Sequence, residues 1–587
     1  MKKVIRLFGK EFHIPRFTKT AEAIQSFSFV EKIIFGLVTT VFVLSALLLL
    51  MKVNEQFLIE IPKSGGILRE GVIGTPRFIN PLLAISETDR DLTTLIYSGL
   101  TRTTPAGEVI PDLAYEYSVS EDGLEYIFKI REDAKFHDGK NVTADDVVFT
   151  IEKAKDPTIK SPRRANWEGV SVEKISDYEV QFTLAQPYSP FLFNTTMGIL
   201  PKHIWENVSS EEFAFTQINV EPIGSGPYEF LNAKRNSSGI AEKYELKSFD
   251  DFSLGKPYID EIHFSFFKNE SDLISALENN KIDSVNSIEP LNAKNLSEDG
   301  YNVKEFPLPR IFAVFFNQSK APIFASKQVR LALDRAIDRD RIVADVLYGY
   351  GNSAYSPIPE SIIPYAKLDS IGEYTKNENE NSVRIEEAIK ILEDAGFKKN
   401  EQGIMQRTNK DSVDILSFSI STANVPELVT IAEQVVDSWK QIGADVNLKV
   451  FDPNDFNQNV IRPRNYDSLF FGEVIGRDLD FFAFWHSSQR NDPGLNIADY
   501  ANIDVDSALE SARKLGDSPD RIEKLLKFVK EVQSDVPAVF LYSPNFIYVV
   551  PENLKGVVPE NISTPSERFL SVYNWYLKTD TVWRIFN

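Results

Sequence analysis

Cysteine is absent from the 587 residues, and methionine, histidine and tryptophan are scarce at four, five and six. Without a thiol the chain makes no disulfide, no thiolate zinc site, no cysteine nucleophile and no lipid-modified cysteine. The histidines, His13, His137, His203, His263 and His486, are scattered, and none stands in H-E-x-x-H or another close metal pair. Equally missing are a G-x-S-x-G elbow, a P-loop and a G-x-G-x-x-G turn. The acid pairs Asp145–Asp146 and Asp250–Asp251 read as helix caps or loop charges, so neither an enzyme nor a bound cofactor or metal is expected.

Positive charge is also in short supply, with 64 Lys and Arg against 85 Asp and Glu for a net −21. Residues 1–52 run against that trend, holding eight Lys or Arg and three Glu, which leaves −26 on the remainder. So acidic a body repels a phosphate backbone, and no nucleic-acid partner is expected. What is present is one long apolar run. Ile33 to Met51 is nineteen residues without a charge, bounded by Lys32 and Lys52. As a helix it spans roughly 28 Å, close to the hydrocarbon thickness of a bilayer. The basic residues lie mainly before it, which predicts a single-pass anchor with residues 1–32 cytoplasmic and the body outside. LLLLMKVNEQF offers no small-x-small cleavage site, so an uncleaved anchor is favoured over a signal peptide. Residues 52–64 read as a short stalk.

The body is too long for one hydrophobic core and must form two or more lobes. Its pattern mixes strands and helices without a repeat. YIFKI (126–130), VQFTL (180–184) and VNLKVF (446–451) alternate as half-buried strands. Thr143 with Asp146 predicts a capping box, Asp340 is placed to cap the helix after it, and AIKILEDAG (388–396) predicts a helix closed by glycine. The polar run 376–381 reads as a surface loop. His137-Asp138-Gly139 mimics a catalytic pair but reads as a turn; Gly224 and Gly226 permit a tight backbone, and Arg330 and Arg335 are expected solvated or ion-paired.

The segment 98–154, SGLTRTTPAGEVIPDLAYEYSVSEDGLEYIFKIREDAKFHDGKNVTADDVVFTIEKA, closely resembles the signature region of the extracellular solute-binding proteins, family 5. These are the oligopeptide, dipeptide and nickel receptors of ABC importers. FINPL (78–82), LPKHIW (200–205), IGSGPYEF (223–230), VFFNQSKAPIFASKQVRLALDRAIDRDRIV (314–343), WKQIGADVNL (439–448) and NIADYANIDVDSALESAR (496–513) continue the match in family order over roughly 64–575. The resemblance implies an α/β, periplasmic-binding-protein-like (cluster C) fold of two lobes and three domains about a hinge and cleft. Domain I would comprise 65–97, 200–308 and 545–587, domain II 98–199, and domain III, the opposing lobe, 309–544.

It also implies the work: capturing short peptides and delivering them to a permease with its ATPase subunits. The same fold serves a metal chelate, an oligosaccharide or an amine, and a tethered sensor is a further alternative. Peptide-binding relatives grip the ligand ammonium with an acid shortly before a D-P or E-P element and an aromatic pair. Placing Phe481-Phe482 on that pair, in LFFGEVIGRDLDFFAFWHSS (469–488), puts Glu473 at the acid and Phe470 at a cleft aromatic. Asp478 falls on the acid of the D-P element, with Leu479 for its proline, and Asp480 is a rival anchor. Trp485 lines a pocket or belongs to the core. Glu where the family has Asp lengthens the arm.

Overall fold

The computed structural model describes residues 4–7, 10–13, 24–104, 106–359, 381–410, 412–476, 479–515, 518–558 and 562–583. They fall into two compact units, Met1–Lys63 with Lys578–Asn587, and Ser64–Leu577. In the first unit the apolar run lies in a helix, Phe29–Phe57, whose stretch Phe29–Lys52 is long and apolar enough to cross a membrane. Its side chains are uncovered, Leu37 at 63% and Leu50 at 66% exposure. The Thr39 and Thr40 hydroxyls donate to Phe35 O and Gly36 O at 2.7 and 2.8 Å, so these polar atoms are satisfied within the helix. The segment expected as a stalk is made of helix and strand. The helix runs on to Phe57, and Leu58–Lys63 pairs antiparallel with Lys578–Trp583.

The second unit is built on a twelve-stranded mixed sheet. On one side lie, in order, Tyr228–Arg235, Ala241–Ser248, Glu261–Phe267, Ile67–Ile73 and Ser284–Asn286. On the other lie Arg310–Phe316, Ser468–Val474, Ser417–Ala423 and Asp445–Phe451. A long strand, Ala538–Val549, joins the halves. Its first part pairs with Arg310–Phe316, and its last part with Val303–Pro307 and Ser284–Asn286. The chain therefore crosses between the halves at Pro307–Arg310 and again at Ser543–Asn545, where Leu308 N–H donates to Pro544 O at 3.2 Å and Ser543 Oγ to Leu308 O at 2.9 Å. A four-stranded antiparallel sheet, ordered Ala114–Val119, Glu125–Ile130, Glu179–Leu184 and Val170–Ser176, carries two of the three predicted alternating strands, and the third, 446–451, edges the large sheet. Its core packs Phe128 against Phe182, and Trp167 and Phe182 against Phe191.

Local signals hold where the chemistry is local. Asp146 accepts from the Thr143 N–H and hydroxyl, both at 2.9 Å, opening helix Ala144–Lys155, and its other oxygen takes Lys202 N–H at 2.8 Å. Asp145 pairs with Lys174, Asp250 with Lys256 and Asp251 with Lys135, so neither acid pair is a free couple. Gly139 takes φ +84°, as the turn requires. A Cβ on Gly224 would lie 2.0 Å from Ile96 O, which only glycine permits. The loop carrying Gly224 is clasped by His137, whose Nδ1 accepts Gly224 N–H at 3.2 Å while Nε2–H donates to Gly226 O at 3.1 Å. Asp138 faces a different histidine, His203, at 2.7 Å.

Two expectations are corrected. The helix Arg339–Asp345 is capped by Asp338, which accepts Arg341 N–H at 3.1 Å, and Asp340 sits in its first turn. Arg330 is neither solvated nor dependent on an acid. It is buried and donates to the carbonyls of Asp535, Val536 and Phe324, tying helix Lys327–Arg335 to the strand that follows 536. Arg335 is ion-paired with Glu387 at 3.6 Å. Residues 376–380 of the polar run lie outside the described residues, and Asn381 opens helix Asn381–Asp394.

Beneath the first half of the sheet Arg568 is wholly buried, bonded to Asp91 at 2.7 and 2.9 Å and to Glu70 at 3.0 Å. The Tyr548 hydroxyl donates to Glu70 at 2.9 Å. Every charge in this cluster has a partner, the condition for keeping ions in a low-dielectric interior.

Candidate functional site

Strand Ser468–Val474 is an inner strand, between Arg310–Phe316 and Ser417–Ala423, and its side chains alternate between two cores. Phe470, opposite Val314, enters the core under helices Lys327–Arg335 and Pro426–Gln441 and packs edge-on to Phe312. Glu473, opposite Ile311, turns to the other face. There it is 3% exposed, its Oε1 accepts no hydrogen bond, and the Trp485 indole N–H beside it makes no well-formed one. Burial pushes the Glu473 carboxyl well above its usual range, with the indole pulling the other way. Trp485 and Phe481 are core residues on the same face, Trp485 against Phe315, Tyr500, Phe528 and Phe540, and Phe481 against Phe528.

Asp480 does different work. Arg513 grips it through Nε at 2.9 Å and an amino group at 2.6 Å, and the Tyr188 hydroxyl donates to it at 3.4 Å. Arg513 lies 4.0 Å over Phe482, and its carbonyl accepts Ser189 N–H at 3.2 Å. The small sheet's segment 188–189 is thus tied directly to the half of the molecule that carries Glu473. Asp478 lies outside the described residues. The structure therefore gathers Glu473, Phe481 and Trp485 on one face, sets Asp480 at an ion-paired bridge, and sends Phe470 to the opposite face.

The local motifs did not single out three arginines. Arg90 sits in the first turns of helix Glu87–Ile96, Arg163 in the loop before Arg164–Trp167, and Arg310 opens strand Arg310–Phe316 at the crossover. None of the three guanidiniums makes a hydrogen bond or ion pair among the described residues, and the Nε atoms of Arg90 and Arg310 are buried. Arg163 reaches solvent, yet desolvation and then Arg90 hold its pKa down while Glu567 opposes them. Desolvation likewise lowers Arg310, with Glu87 raising it and Arg90 lowering it. Arg310 lines a crevice of about 220 Å³ at the crossover with Glu87, Leu308, Phe312, Tyr350 and Glu427, among others. Glu427 accepts the Tyr542 hydroxyl at 2.8 Å, and burial raises its carboxyl. One signal was available: an arginine beside a helix N-terminus opposes the helix dipole, so Arg90 needs another reason to be there. Among the described residues no group of three or more His, Asp or Glu could hold a metal ion.

The family model for bacterial extracellular solute-binding proteins, family 5 (middle), matches residues 108–493. The chain belongs to this family. It is 31% identical over 526 residues to the oligopeptide-binding protein AppA of Bacillus subtilis, covering 88% of this chain and 92% of that protein. The solved structure of that AppA in complex with a nonapeptide matches with a TM-score of 0.66 at 29% identity, over 88% of this chain and all of the other. NikZ from Campylobacter jejuni in complex with Ni(L-His) matches with a TM-score of 0.67 at 28% identity, again over 88% and 100%. Members of family 5 are substrate-binding proteins, and the α/β, periplasmic-binding-protein-like fold expected from the sequence is the one observed.

Proposed function

We propose that this solute-binding protein is the receptor of an ABC importer. It takes short peptides into the cleft between its halves and presents them to a membrane permease driven by ATPase subunits, with no catalysis of its own. The observation that carries this reading is the likeness over nearly the whole body to an oligopeptide-binding protein whose solved structure holds a nonapeptide. The crossovers at Pro307–Arg310 and Ser543–Asn545 act as the hinge. Glu473, buried with one oxygen unpartnered, is the anchor for the ligand ammonium. The Phe29–Lys52 helix holds the body outside the membrane and keeps it near the permease.

The peptide claim is tested with free-amine and N-acetylated versions of one peptide, binding read by tryptophan fluorescence. A charge-assisted bond of about 1.5–3 kcal/mol predicts that Glu473→Gln weakens the free-amine peptide by about ten- to hundredfold and leaves the acetylated one nearly as before. Unchanged affinity for the free amine removes Glu473 as the anchor. Mass spectrometry of the ligand carried by the purified protein tests the solute class, and recovery of nickel complexes alone would overturn the peptide reading. Topology can be read cleanly because the chain has no cysteine. A membrane-impermeant maleimide on intact cells should label Phe215→Cys, at an 87% exposed position, and spare Lys10→Cys.

A further inference from the structure

Three cationic side chains without partners among the described residues are out of place in a protein of net charge −21, where acids outnumber bases and most basic groups could find one. Arg90, Arg163 and Arg310 come from three separate stretches: a helix start, a loop and a strand start at the crossover. The loop of Arg163 is held to the turn that precedes the Arg90 helix, because Ser161 Oγ donates to Leu82 O at 2.7 Å and accepts Arg163 N–H at 3.1 Å. Arg310 shares its crevice with Glu87, which lies in the same helix as Arg90.

Two acids face the group. Glu87 accepts a hydrogen bond from Ser287 Oγ at 3.3 Å, and Glu567 accepts Ser563 N–H at 2.7 Å. Neither forms a salt bridge with any of the three arginines. A guanidinium offers five donors in a planar fork, matched by the two oxygens of a carboxylate. Nε is buried and unmet at two of the three arginines among the described residues, and an anion with several acceptors offers those donors a partner.

We propose that Arg90, Arg163 and Arg310 form one anion-binding subsite in the cleft, and that it selects solutes carrying clustered carboxylates. Short peptides rich in Asp or Glu are the form in which this receptor meets them. The identity of the ligand rests on the peptide-receptor reading above; the existence of the subsite does not. Glu473 lies on the opposite sheet face from Arg310, so the subsite is built without it.

The test measures binding to the full-length protein in detergent, using Ala-Glu-Glu-Glu, Ala-Ala-Ala-Ala and citrate as probes. The acidic peptide should bind about tenfold or more tightly than tetra-alanine, and added salt should narrow the gap. In Arg163→Gln the ratio of the two affinities should collapse toward one, with partial recovery in Arg163→Lys. Arg163 is exposed, so this variant folds, and Arg90→Gln provides a second reading. Equal affinity of the wild-type protein for both peptides overturns the subsite and leaves the peptide receptor standing. So does an unaltered ratio in both Gln variants. Binding of citrate alone, lost in Arg163→Gln, supports the subsite and removes the peptide reading. If none of the three probes binds, the proposal fails.

Discussion

The His137 clasp makes acid stability calculable. Its ring is neutral by construction: Nδ1 must keep its lone pair to accept Gly224 N–H, while Nε2–H is committed to Gly226 O. Phe249 packs edge-on 4.9 Å away. Desolvation, against the smaller pull of the Gly226 carbonyl and Asp138, takes the imidazole down from 6.5 to about 4. The sign follows directly. As pH falls below 6.5 the unfolded chain takes up the proton first, so the clasp's stability is complete above 6.5 and is lost as pH falls toward 4. That gap is worth about 3 kcal/mol at 1.36 kcal/mol per pH unit. The perturbation is His137→Gln, which cannot titrate, and the assay is urea unfolding of both proteins from about pH 7 to about pH 4. Carboxylates elsewhere titrate in both proteins and cancel in the difference. Wild type minus variant should fall by about 3 kcal/mol across that range. A difference flat with pH would refute the neutral clasp and mean that the ring protonates in place.

Other consequences are as direct. Arg568→Met leaves Glu70 and Asp91 buried without their cation and should cost about 3–5 kcal/mol in unfolding free energy, read by calorimetry; a loss under about 1 kcal/mol would mean that water enters the cluster. Gly224→Ala places a methyl 2.0 Å from Ile96 O and should cost at least about 1–3 kcal/mol by overpacking, whereas Gly239→Ala, at an open turn, should show only the smaller strain of its positive φ. Arg513→Ala removes the cation that grips Asp480 and weakens the bridge to Tyr188 by about 1 kcal/mol, raising the open-to-closed ratio about fivefold. X-ray scattering of the ligand-free protein should then show a larger radius of gyration, and an unchanged radius would remove the bridge as a restraint on opening.

How far the sequence carried the fold depended on how local each cause was. YIFKI and VQFTL alternate with a period of two, and that alone decides which side chains meet in the small sheet. Thr143 and Asp146 need only each other to begin a helix. Asp340 misled because Asp338, two residues earlier, meets the same compositional rule, and only the backbone turn at Asp338 selects it. Arg330 misled for a different reason: nothing near it in sequence reveals that carbonyls of residues 535 and 536 arrive to receive it. The pairing of Phe470 with Glu473 was a choice the sequence could have weighed. Residues three apart on a strand face opposite ways, so the two could share a cleft wall only if the strand ended between them, and it runs through Val474.

The arginines were illegible for the reason that makes them informative. A binding group on one element leaves a periodic trace, because the element's other residues pack while it does not. Arg90, Arg163 and Arg310 leave no such trace, since each stands near a boundary where helix, loop or strand gives way to the next segment. At the Arg310 boundary the chain passes from one half of the sheet to the other, so its neighbours in space come from both halves. Topology brings those ends together, and the lack of a salt bridge to any of the three among the described residues is then a property of the assembled site. A fold of two halves joined by a shared strand converts residues that mean nothing in sequence into the walls of one groove, and the charge left unpaired on those walls indicates the charge of the solute the groove is built to receive.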